Sequence, residues 1–195
     1  MISPSNPYHL FAEVFAAARD TGMVEPNAMA LATADADGCP TVRMVLLKDF
    51  DDDGFVFYTN LESRKSRQIQ ENPNAAICFY WQQIGRQVRA EGSVEPVSDA
   101  EADAYFASRA HGSQIGAWSS KQSKTLPDRE DLLERVRATE ERFAGTEVPR
   151  PPFWSGFRIR PRRIEFWTAG ESRLHDRLVY EKEEGTDWRV RRLYP

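Results

Sequence analysis

The chain has 195 residues and a formal net charge of −4, a length that allows one ordinary domain with a sizeable core. That charge argues against general nucleic-acid binding, because affinity for a phosphate backbone comes from a cationic surface. The basic residues form local clusters in an acidic chain, which suits small anionic ligands better than polymers. Cys39 and Cys78 lie far apart and form no CxxC pair, so we expect neither a disulfide framework nor a zinc site.

The N-terminal residues MISPSNPYHLF lack the charged and apolar regions of a signal peptide. No run of apolar residues is long enough to span a bilayer. We therefore expect a cytoplasmic protein without a membrane or nucleic-acid partner. The three histidines, His9, His111 and His175, do not stand in a metal-ligand spacing such as HExxH, and no metal is expected.

Hydrophobic periodicity predicts one helix and then mostly strands in the first half of the chain. The predicted elements are a helix at 7–21, strands at 28–34, 41–48 and 55–58, a basic helix at 63–72 and strands at 75–81 and 87–94. The strands at 41–48 and 55–58, joined by an acidic turn at 49–54, have the shape of a hairpin in an antiparallel meander. The run AAICFYW at 75–81 is wholly apolar, which predicts a strand buried on both faces.

The second half is predicted to contain two helices, a long loop and three strands. A capping box at Ser98 and Glu101 opens the first helix, and Pro161 marks a bulge or edge in the first strand. The last two strands pair around a turn at 183–185. The predicted elements are a helix at 98–109, a Gly- and Ser-rich loop at 111–125, a helix at 128–144 and strands at 154–167, 174–182 and 188–193. About seven strands with three or four helices favour a β-barrel decorated by helices.

A basic helix start predicts an anion site. Arg64 and Lys65 open the helix at 63–72, where unpaired N–H groups and the macrodipole already carry positive charge. Cations there are slightly unfavourable unless an anion lies between them and the helix end. Thr59 and Ser63 add hydroxyl donors. We therefore interpret 59–65 as a phosphate-binding segment; the alternative, a solvated basic first turn, stays open.

Two further clusters have the chemistry of anion sites. Tyr105 and Arg109, spaced i and i+4 on the predicted helix, share a face, and Ser113 follows just beyond. This predicts a second phosphate site; the alternative is a helix end whose arginine interacts with the macrodipole.

The third cluster lies near the C-terminus. On an extended strand Arg173, His175 and Arg177 project to one face, where three cations repel unless they meet an anion such as a phosphate or phenolate. The alternative is an exposed polar strand with Glu171 and Asp176 as counter-ions.

Six motifs stand in order along the chain: RMVLLK at 43–48, FYTNLESRK at 57–65, RQV at 86–88, SQIGAWSSKQS at 113–123, IEFW at 164–167 and RLHDR at 173–177. Each is weak singly. Together they resemble the pyridoxine (pyridoxamine) 5′-phosphate oxidase family over nearly the whole chain. The resemblance implies a mainly β fold with flanking helices, the FMN-binding split β-barrel, in a domain-sharing homodimer with FMN at the subunit interface.

The resemblance also implies a reaction and its residues. FMN contacts fall on Arg43, Met44, Val45, Leu46, Leu47, Lys48, Tyr58, Thr59, Arg64, Lys65, Gln87, Gln122, Ser123, Trp167 and Arg177. Substrate contacts fall on Lys48, Tyr105, Arg109 and Ser113 for the phosphate, and on Arg173, Leu174 and His175 at the ring. The implied reaction is the FMN-dependent oxidation of pyridoxine or pyridoxamine 5′-phosphate to pyridoxal 5′-phosphate, with O2 as acceptor and H2O2 as product. Arg173 and His175 are the implied catalytic pair, stabilising the ring oxygen's charge and orienting the ring or moving a proton.

The resemblance implies one domain over 1–195: an N-terminal helix region (1–22), first barrel strands (28–97), a helical and loop insertion (98–145) and C-terminal strands (153–195). Two features depart from the family pattern. Only residues 1–6 precede the first helix, so we expect the family's N-terminal lid to be missing or shortened. Thr168-Ala169-Gly170 stands where the family more often has Gln-Gly-Gly. Two alternatives remain: a phenazine-pathway type of flavin oxidase, and a non-catalytic FMN- or pyridoxal-phosphate-binding protein.

Overall fold

The computed structural model describes residues 5–182 and 187–195. Its helices are α1 (Pro7–Asp20), α2 (Arg64–Glu71), α3 (Asp99–Ala107), α4 (His111–Ser119) and α5 (Arg129–Arg142). Its strands are β1 (Ala28–Ala34), β2 (Pro40–Leu46), β3 (Asp49–Asp51), β4 (Gly54–Asn60), β5 (Asn74–Trp81), β6 (Arg86–Pro96), β7 (Trp154–Thr168), β8 (Asp176–Glu181) and β9 (Arg189–Leu193). The prediction of a mainly β protein with flanking helices is confirmed.

The nine strands of the described residues form one antiparallel sheet. Its order is β2-β1-β5-β6-β7-β4-β3, and β8 and β9 continue from β7. The long strand β7 pairs with β6 along one edge, while its other edge is divided between β4 and β8. Opposite Pro161 the register shifts between Glu91 and Gly92, so the predicted bulge is confirmed. This division of β7 splits the sheet into two lobes.

The core lies on the inner face of the sheet, under α1. Phe11 of α1 is fully buried, with ring centroids 4.8 Å from Phe50, 4.9 Å from Phe55 and 5.3 Å from Phe79. Asn6 caps the helix by accepting a hydrogen bond from the Tyr8 N–H at 2.8 Å. Burying an aromatic ring of this kind contributes about 1.5–3 kcal/mol. Phe11 therefore holds α1 against the core.

The predicted hairpin between β2 and β4 is wrong. β2 pairs with β1, whereas β4 pairs with β3 and β7. The segment expected to be a turn contains the short strand β3, and the chain turns tightly from Asp51 to Gly54. Gly54 has φ +142°, and a Cβ there would lie 2.0 Å from the Ile159 carbonyl oxygen, so the turn requires glycine. Two apolar runs close in sequence therefore find different partners.

The segment 111–125, expected to be a loop, contains helix α4 instead. Ile115 is buried in a small cluster with Phe106, Phe143 and Trp154, and the Trp118 indole N–H donates to the Pro149 carbonyl at 2.7 Å. This tertiary packing overrides the low helix propensity of the glycines and serines. The helices predicted on either side are confirmed, including the capping box at the start of α3.

Strand β5 is not buried on both faces. Ala75, Ile77, Phe79 and Trp81 point into the core, while the alternate side chains are half-buried or exposed, with Tyr80 at 60%. The outward row continues across the sheet through directly paired neighbours. It runs through Met44 of β2, Ala30 of β1, Cys78 of β5, Arg89 of β6 and Glu165 of β7. We call this side of the sheet the outer face.

The C-terminal strand pair forms as predicted, with β8 and β9 antiparallel. The turn predicted at 183–185 lies outside the described residues. β8 begins only at Asp176, so Arg173 and His175 do not lie on an extended strand as expected. None of the helices in the described residues is long and apolar enough to cross a membrane.

Candidate active site

A cavity of about 750 Å³ opens between β2, β4, the start of β7 and the helical insertion. Its walls bring together segments that are distant in sequence. Predicted residues that line it are Arg43, Met44, Val45, Leu46, Lys48, Tyr58, Thr59, Lys65, Tyr105, Arg109, Ser113 and Gln122. Most of the predicted FMN and substrate-phosphate residues of the first two-thirds of the chain therefore share one cavity.

The start of α2 places Lys65 at the cavity wall. Ser63 caps the helix, and the Lys65 ammonium donates to the Thr59 hydroxyl at 2.8 Å, the Ser63 hydroxyl at 3.0 Å and the Gln122 Oε1 at 2.6 Å. All three acceptors are neutral. Burial, and secondarily the charge of Arg43, lower the pKa of Lys65 to about 8. Among the residues that the structure describes, the lysine is thus a partly desolvated cation without a counter-ion.

Arg43 is held beside Lys65 by neutral oxygens. Its Nη1 donates to the Leu31 carbonyl at 3.0 Å and to the Thr33 hydroxyl at 2.7 Å, and its Nη2 donates to the Thr41 hydroxyl. Burial, and then the charge of Arg64, lower the pKa of Arg43. We call Arg43, Arg64 and Lys65 the cation seat.

A smaller cavity of about 260 Å³ adjoins the cation seat and is lined by all three cations together with Ser123. In the described part of the chain no ion pair involves any of the three. The cation seat therefore has the charge and the donors for a phosphate group.

Three stacked aromatic rings form the opposite wall. Tyr58 and Tyr105 lie 4.0 Å apart and nearly parallel, and Trp154 stacks 5.5 Å from Tyr58. Gly156 permits this arrangement, because a Cβ there would lie 2.7 Å from the Tyr58 ring. Trp154 was not among the predicted site residues. Its spacing from Tyr58 follows from the pairing of β4 with β7.

Arg109 lies against this wall. α3 ends at Ala107, so Arg109 is not on one helical face with Tyr105 as expected, yet both line the cavity. The Arg109 guanidinium carbon lies 4.8 Å from the Trp154 ring centroid, and the Arg109 Nη1 is buried without a hydrogen-bond partner in the described part of the chain. The Lys48 ammonium lies 5.9 Å from the Tyr105 ring centroid. A buried guanidinium N–H without an acceptor indicates a second place for an anion.

Of the other predicted cofactor residues, Leu47 points into the core with 3% exposure and does not line the cavity. Arg64 and Ser123 line the smaller cavity instead. A second group of predicted residues lines neither. It comprises Gln87, Trp167, Arg173, Leu174, His175 and Arg177.

The second group gathers around the end of β7 that pairs with β8. Gln87, Trp167 and Arg177 are cross-strand neighbours on the outer face. The His175 ring lies 4.6 Å from the Trp167 ring, and its Nδ1 accepts a hydrogen bond from the Gly170 N–H at 3.1 Å. Nδ1 therefore carries the lone pair, which leaves the proton of the neutral imidazole on Nε2.

Two consecutive residues before His175 have left-handed backbone conformations. Ser172 has φ 51° and Arg173 has φ 64°. Such conformations cost about 1–3 kcal/mol each in residues with side chains and cluster at functional sites. Arg173 is exposed and Leu174 is 74% exposed, so this segment is presented outward.

Arg177 is held by a buried carboxylate. Glu165, 1% exposed, accepts hydrogen bonds from Arg177 at 2.9 and 3.1 Å, from Arg89 at 2.6 Å and from Arg163 at 3.0 Å. Burial raises the pKa of Glu165, but hydrogen bonds from Arg177 and Arg89 outweigh burial and lower the pKa to about 2. We call Glu165, Arg89, Arg163 and Arg177 the arginine network. Sequence reasoning identified Arg177 but not its carboxylate partner.

The antiparallel sheet is divided at β7, and an aromatic-walled cavity lies beside two groups of cations that have no anionic partner in the described residues. These features define a split-barrel protein that binds phosphorylated ligands. Comparison with known proteins makes this specific. Residues 16–145 match the pyridoxamine 5′-phosphate oxidase family, and residues 154–195 match the pyridoxine 5′-phosphate oxidase C-terminal dimerisation region. The chain belongs to the pyridoxine/pyridoxamine 5′-phosphate oxidase family, as the six motifs predicted.

Relatives and solved structures agree with this membership. A pyridoxine/pyridoxamine 5′-phosphate oxidase of Myxococcus xanthus (strain DK1622) is 60% identical over 192 residues, covering 98% of this chain and 93% of the relative. That of Maricaulis maris (strain MCS10) is 58% identical, covering 97% and 86%. The crystal structure of PhzG from Burkholderia lata 383, in complex with tetrahydrophenazine-1-carboxylic acid, superimposes with a TM-score of 0.94. It is 36% identical to this chain and covers 99% of this chain and 94% of that one.

Proposed function

We propose that this protein oxidises pyridoxine 5′-phosphate and pyridoxamine 5′-phosphate to pyridoxal 5′-phosphate with FMN as its cofactor. It is an FMN-dependent oxidoreductase. The pyridoxine phosphate loses two electrons and two protons to O2, which becomes H2O2. The pyridoxamine phosphate also takes up water and releases ammonia. The observation that carries the proposal is the pair of separate anion sites in one cavity, one at the cation seat and one at Arg109.

The cation seat fits the phosphate of FMN. Arg43 and Lys65 are oriented by neutral acceptors, and both lose solvation without gaining a counter-ion. A dianionic phosphate provides that missing charge, and Ser123 at the rim offers a hydroxyl. When bound, FMN supplies the redox chemistry by accepting the electrons of the substrate and passing them to O2.

The second anion site fits the phosphate of the vitamer. The unpaired Arg109 Nη1, the Ser113 hydroxyl and the Lys48 ammonium face the same cavity. A phosphate here is held by charge-assisted hydrogen bonds, while Tyr105 packs against the substrate side of the wall. These residues fix the position of the substrate and leave its ring free for the groups that act on it.

The residues that act on the substrate ring, Arg173 and His175, belong to the second group defined above. We propose that they reach the cavity across the subunit interface of a homodimer. The match to the dimerisation region supports the homodimer. The outer face carries exposed apolar side chains at Val42 (69%), Met44 (64%) and Tyr80 (60%), which a second subunit is expected to cover. One nine-stranded sheet passes through both matched segments, which supports treating the chain as a single domain.

In this arrangement Arg173 stabilises negative charge on the oxygen of the substrate ring. His175 presents Nε2–H, because its Nδ1 is held by the Gly170 N–H, so it can donate a hydrogen bond to the substrate from that atom. Gly170 allows the close approach, since a Cβ there would lie 2.1 Å from the Leu174 carbonyl oxygen. Trp167 packs against the imidazole and limits its rotation.

A phenazine-type flavin oxidase is the second candidate, favoured by the superposition on PhzG. The anion site at Arg109 argues against it, because the two cations and one hydroxyl of Lys48, Arg109 and Ser113 suit a dianionic phosphate better than the single negative charge of a carboxylate. The relatives named for the vitamer oxidase are also far more similar, at 58–60% against 36% identity.

The experiment is an assay of FMN-loaded protein with each vitamer phosphate in air. We expect the absorbance of pyridoxal phosphate to appear together with stoichiometric H2O2. Arg173→Ala should lower turnover about 100-fold or more while FMN is retained, and Arg64→Ala should instead loosen FMN. A yellow protein that is inert toward both vitamer phosphates refutes the proposal, and oxidation of tetrahydrophenazine-1-carboxylic acid then supports the second candidate.

A further inference from the structure

Gln68 lies beneath the cation seat and lines neither of the two cavities described above. It belongs to α2, three positions after Lys65, and is 4% exposed. Its Oε1 accepts hydrogen bonds from the Thr33 and Thr41 hydroxyls, both at 2.7 Å. The Arg43 Nη2 also approaches this oxygen at 3.5 Å. Three donors converge on one side-chain oxygen, so the amide orientation is fixed by its partners.

The two threonines relay this contact to Arg43. A hydroxyl has one proton, and both Thr33 and Thr41 give theirs to Gln68. Their lone pairs are therefore left for the guanidinium, whose Nη1 donates to Thr33 at 2.7 Å and whose Nη2 donates to Thr41. Without Gln68 each hydroxyl is free to rotate and to present its proton to the cation.

The neutrality of the Gln68 side chain matters as much as its geometry. A glutamate has nearly the same shape and accepts the same two hydroxyl protons, but it carries a negative charge close to Arg43. Opposite charges a few ångströms apart in a partly buried site attract by several kcal/mol, about 4 kcal/mol at 4 Å with an effective dielectric constant of 20. Such a carboxylate competes with the ligand phosphate for the same cation. The neutral amide orients Arg43 and leaves its charge available.

We propose that Gln68 is a positioning residue for the FMN phosphate: it sets the two threonine hydroxyls as acceptors so that Arg43 is oriented but not neutralised. This inference rests on the proposed FMN site. It assigns a role to a buried residue on the far side of Arg43 from the ligand, and it predicts that the isosteric change to glutamate is more harmful to phosphate binding than to folding.

The test compares Gln68→Glu with Gln70→Glu. Gln70 is exposed on the same helix, so both variants make the same chemical change and the same change in net charge. FMN is titrated into the flavin-free full-length protein and followed by flavin fluorescence. Riboflavin, which lacks the phosphate, is titrated in parallel. Thermal unfolding of both flavin-free variants is measured as well.

We expect Gln68→Glu to weaken FMN binding about tenfold or more relative to Gln70→Glu. Riboflavin binding should change less than about twofold. The unfolding midpoint of Gln68→Glu should be no lower than that of Gln70→Glu, because the new carboxylate pairs with Arg43. Lower affinity for the phosphorylated flavin alone, without lower stability, is a pattern that a merely structural role does not produce.

Gln68→Met provides a second variant that adds no charge. It removes the acceptor and keeps a long unbranched side chain, so FMN affinity should fall less than in Gln68→Glu. Equal FMN affinity in Gln68→Glu and Gln70→Glu overturns the inference, as does an equal loss of FMN and riboflavin. Wild-type protein that does not prefer FMN over riboflavin overturns the FMN site itself, an outcome distinct from the failure of Gln68.

Discussion

Two regions of this molecule concentrate cations, and they treat charge in opposite ways. In the cation seat, the partners of Arg43 and Lys65 within residues 5–182 and 187–195 are hydroxyl, amide and carbonyl oxygens. In the arginine network, Arg89, Arg163 and Arg177 all converge on the buried carboxylate of Glu165. Both regions orient arginines by several hydrogen bonds, but only the second neutralises them.

The difference shows that the number of cations does not identify a binding site; the absence of their counter-ions does. The arginine network also joins strands, since Arg163 reaches Glu91 of β6 and Glu181 of β8 besides Glu165. We infer that it holds the β6-β7-β8 lobe together and fixes Arg177, which the resemblance assigns to FMN. We infer that the cation seat instead lowers the stability of the flavin-free fold and raises its affinity for FMN.

The largest expected effect is the loss of the central carboxylate. Glu165→Ala leaves three converging guanidinium groups without their shared partner, and we expect the free energy of unfolding to fall by about 3 kcal/mol. Urea unfolding of the flavin-free protein measures it. Glu181→Gln is the matched control, because Glu181 is partly exposed and its pairs with Arg163 and Arg191 contribute about 1 kcal/mol or less. Equal losses in the two variants contradict the central role of Glu165.

The next largest effect is expected in the cation seat, where a substitution should lower ligand affinity and not stability. Lys65→Met removes a desolvated cation and its hydrogen bonds, so FMN affinity should fall by about 2 kcal/mol, roughly 30-fold. The unfolding free energy of the flavin-free protein should stay the same or rise, because the variant no longer buries a charge. Lys124→Met, at an exposed position, controls for the loss of one positive charge. A large loss of stability in Lys65→Met refutes the contrast between the two regions.

The sequence predicted local features and the pairing of β8 with β9 correctly, but it predicted the wrong partners for β2 and β4. The anion site at the start of α2 was predicted because cations in a first turn are unfavourable without an anion, a signal contained in a few neighbouring residues. The pairing of β2 with β1 rather than β4, and the helix α4, depend on contacts between distant segments. Glycine and serine propensities over 111–119 give no sign of the cluster that stabilises α4.

The site was predicted to a similar depth. Its cations were identified from spacing and from the family motifs. The structure brings most of the residues predicted in the first two-thirds of the chain into one cavity. Two residues that support them, Glu165 and Gln68, were not predicted. Glu165 meets Arg89 across 76 positions and Gln68 meets Thr33 across 35, so only the register of the sheet and the placement of α2 bring them together. A sequence motif can identify a cation, but only the folded structure shows whether a counter-ion lies beside it.

The smallest expected effect concerns pH and the proton of Lys65. In the flavin-free protein the pKa of Lys65 is lowered from 10.5 to about 8 by burial and by Arg43. The unfolded chain therefore holds more protons than the folded one between about pH 8 and 10.5, so this lysine destabilises the fold most below pH 8 and less as pH rises through that window. A bound phosphate favours the charged form and raises the pKa again.

FMN binding above pH 8 should consequently take up a proton. The phosphate monoester is already a dianion there, so Lys65 accounts for the linkage, and the FMN dissociation constant should rise by up to about tenfold per pH unit. Titration calorimetry at pH 9 in buffers of different ionisation enthalpy measures the proton uptake. Lys65→Met and riboflavin should both show a flat profile from pH 8 to 9.5. If Lys65→Met keeps the wild-type slope, the titrating group lies elsewhere and the cation seat holds its charge independently of Lys65.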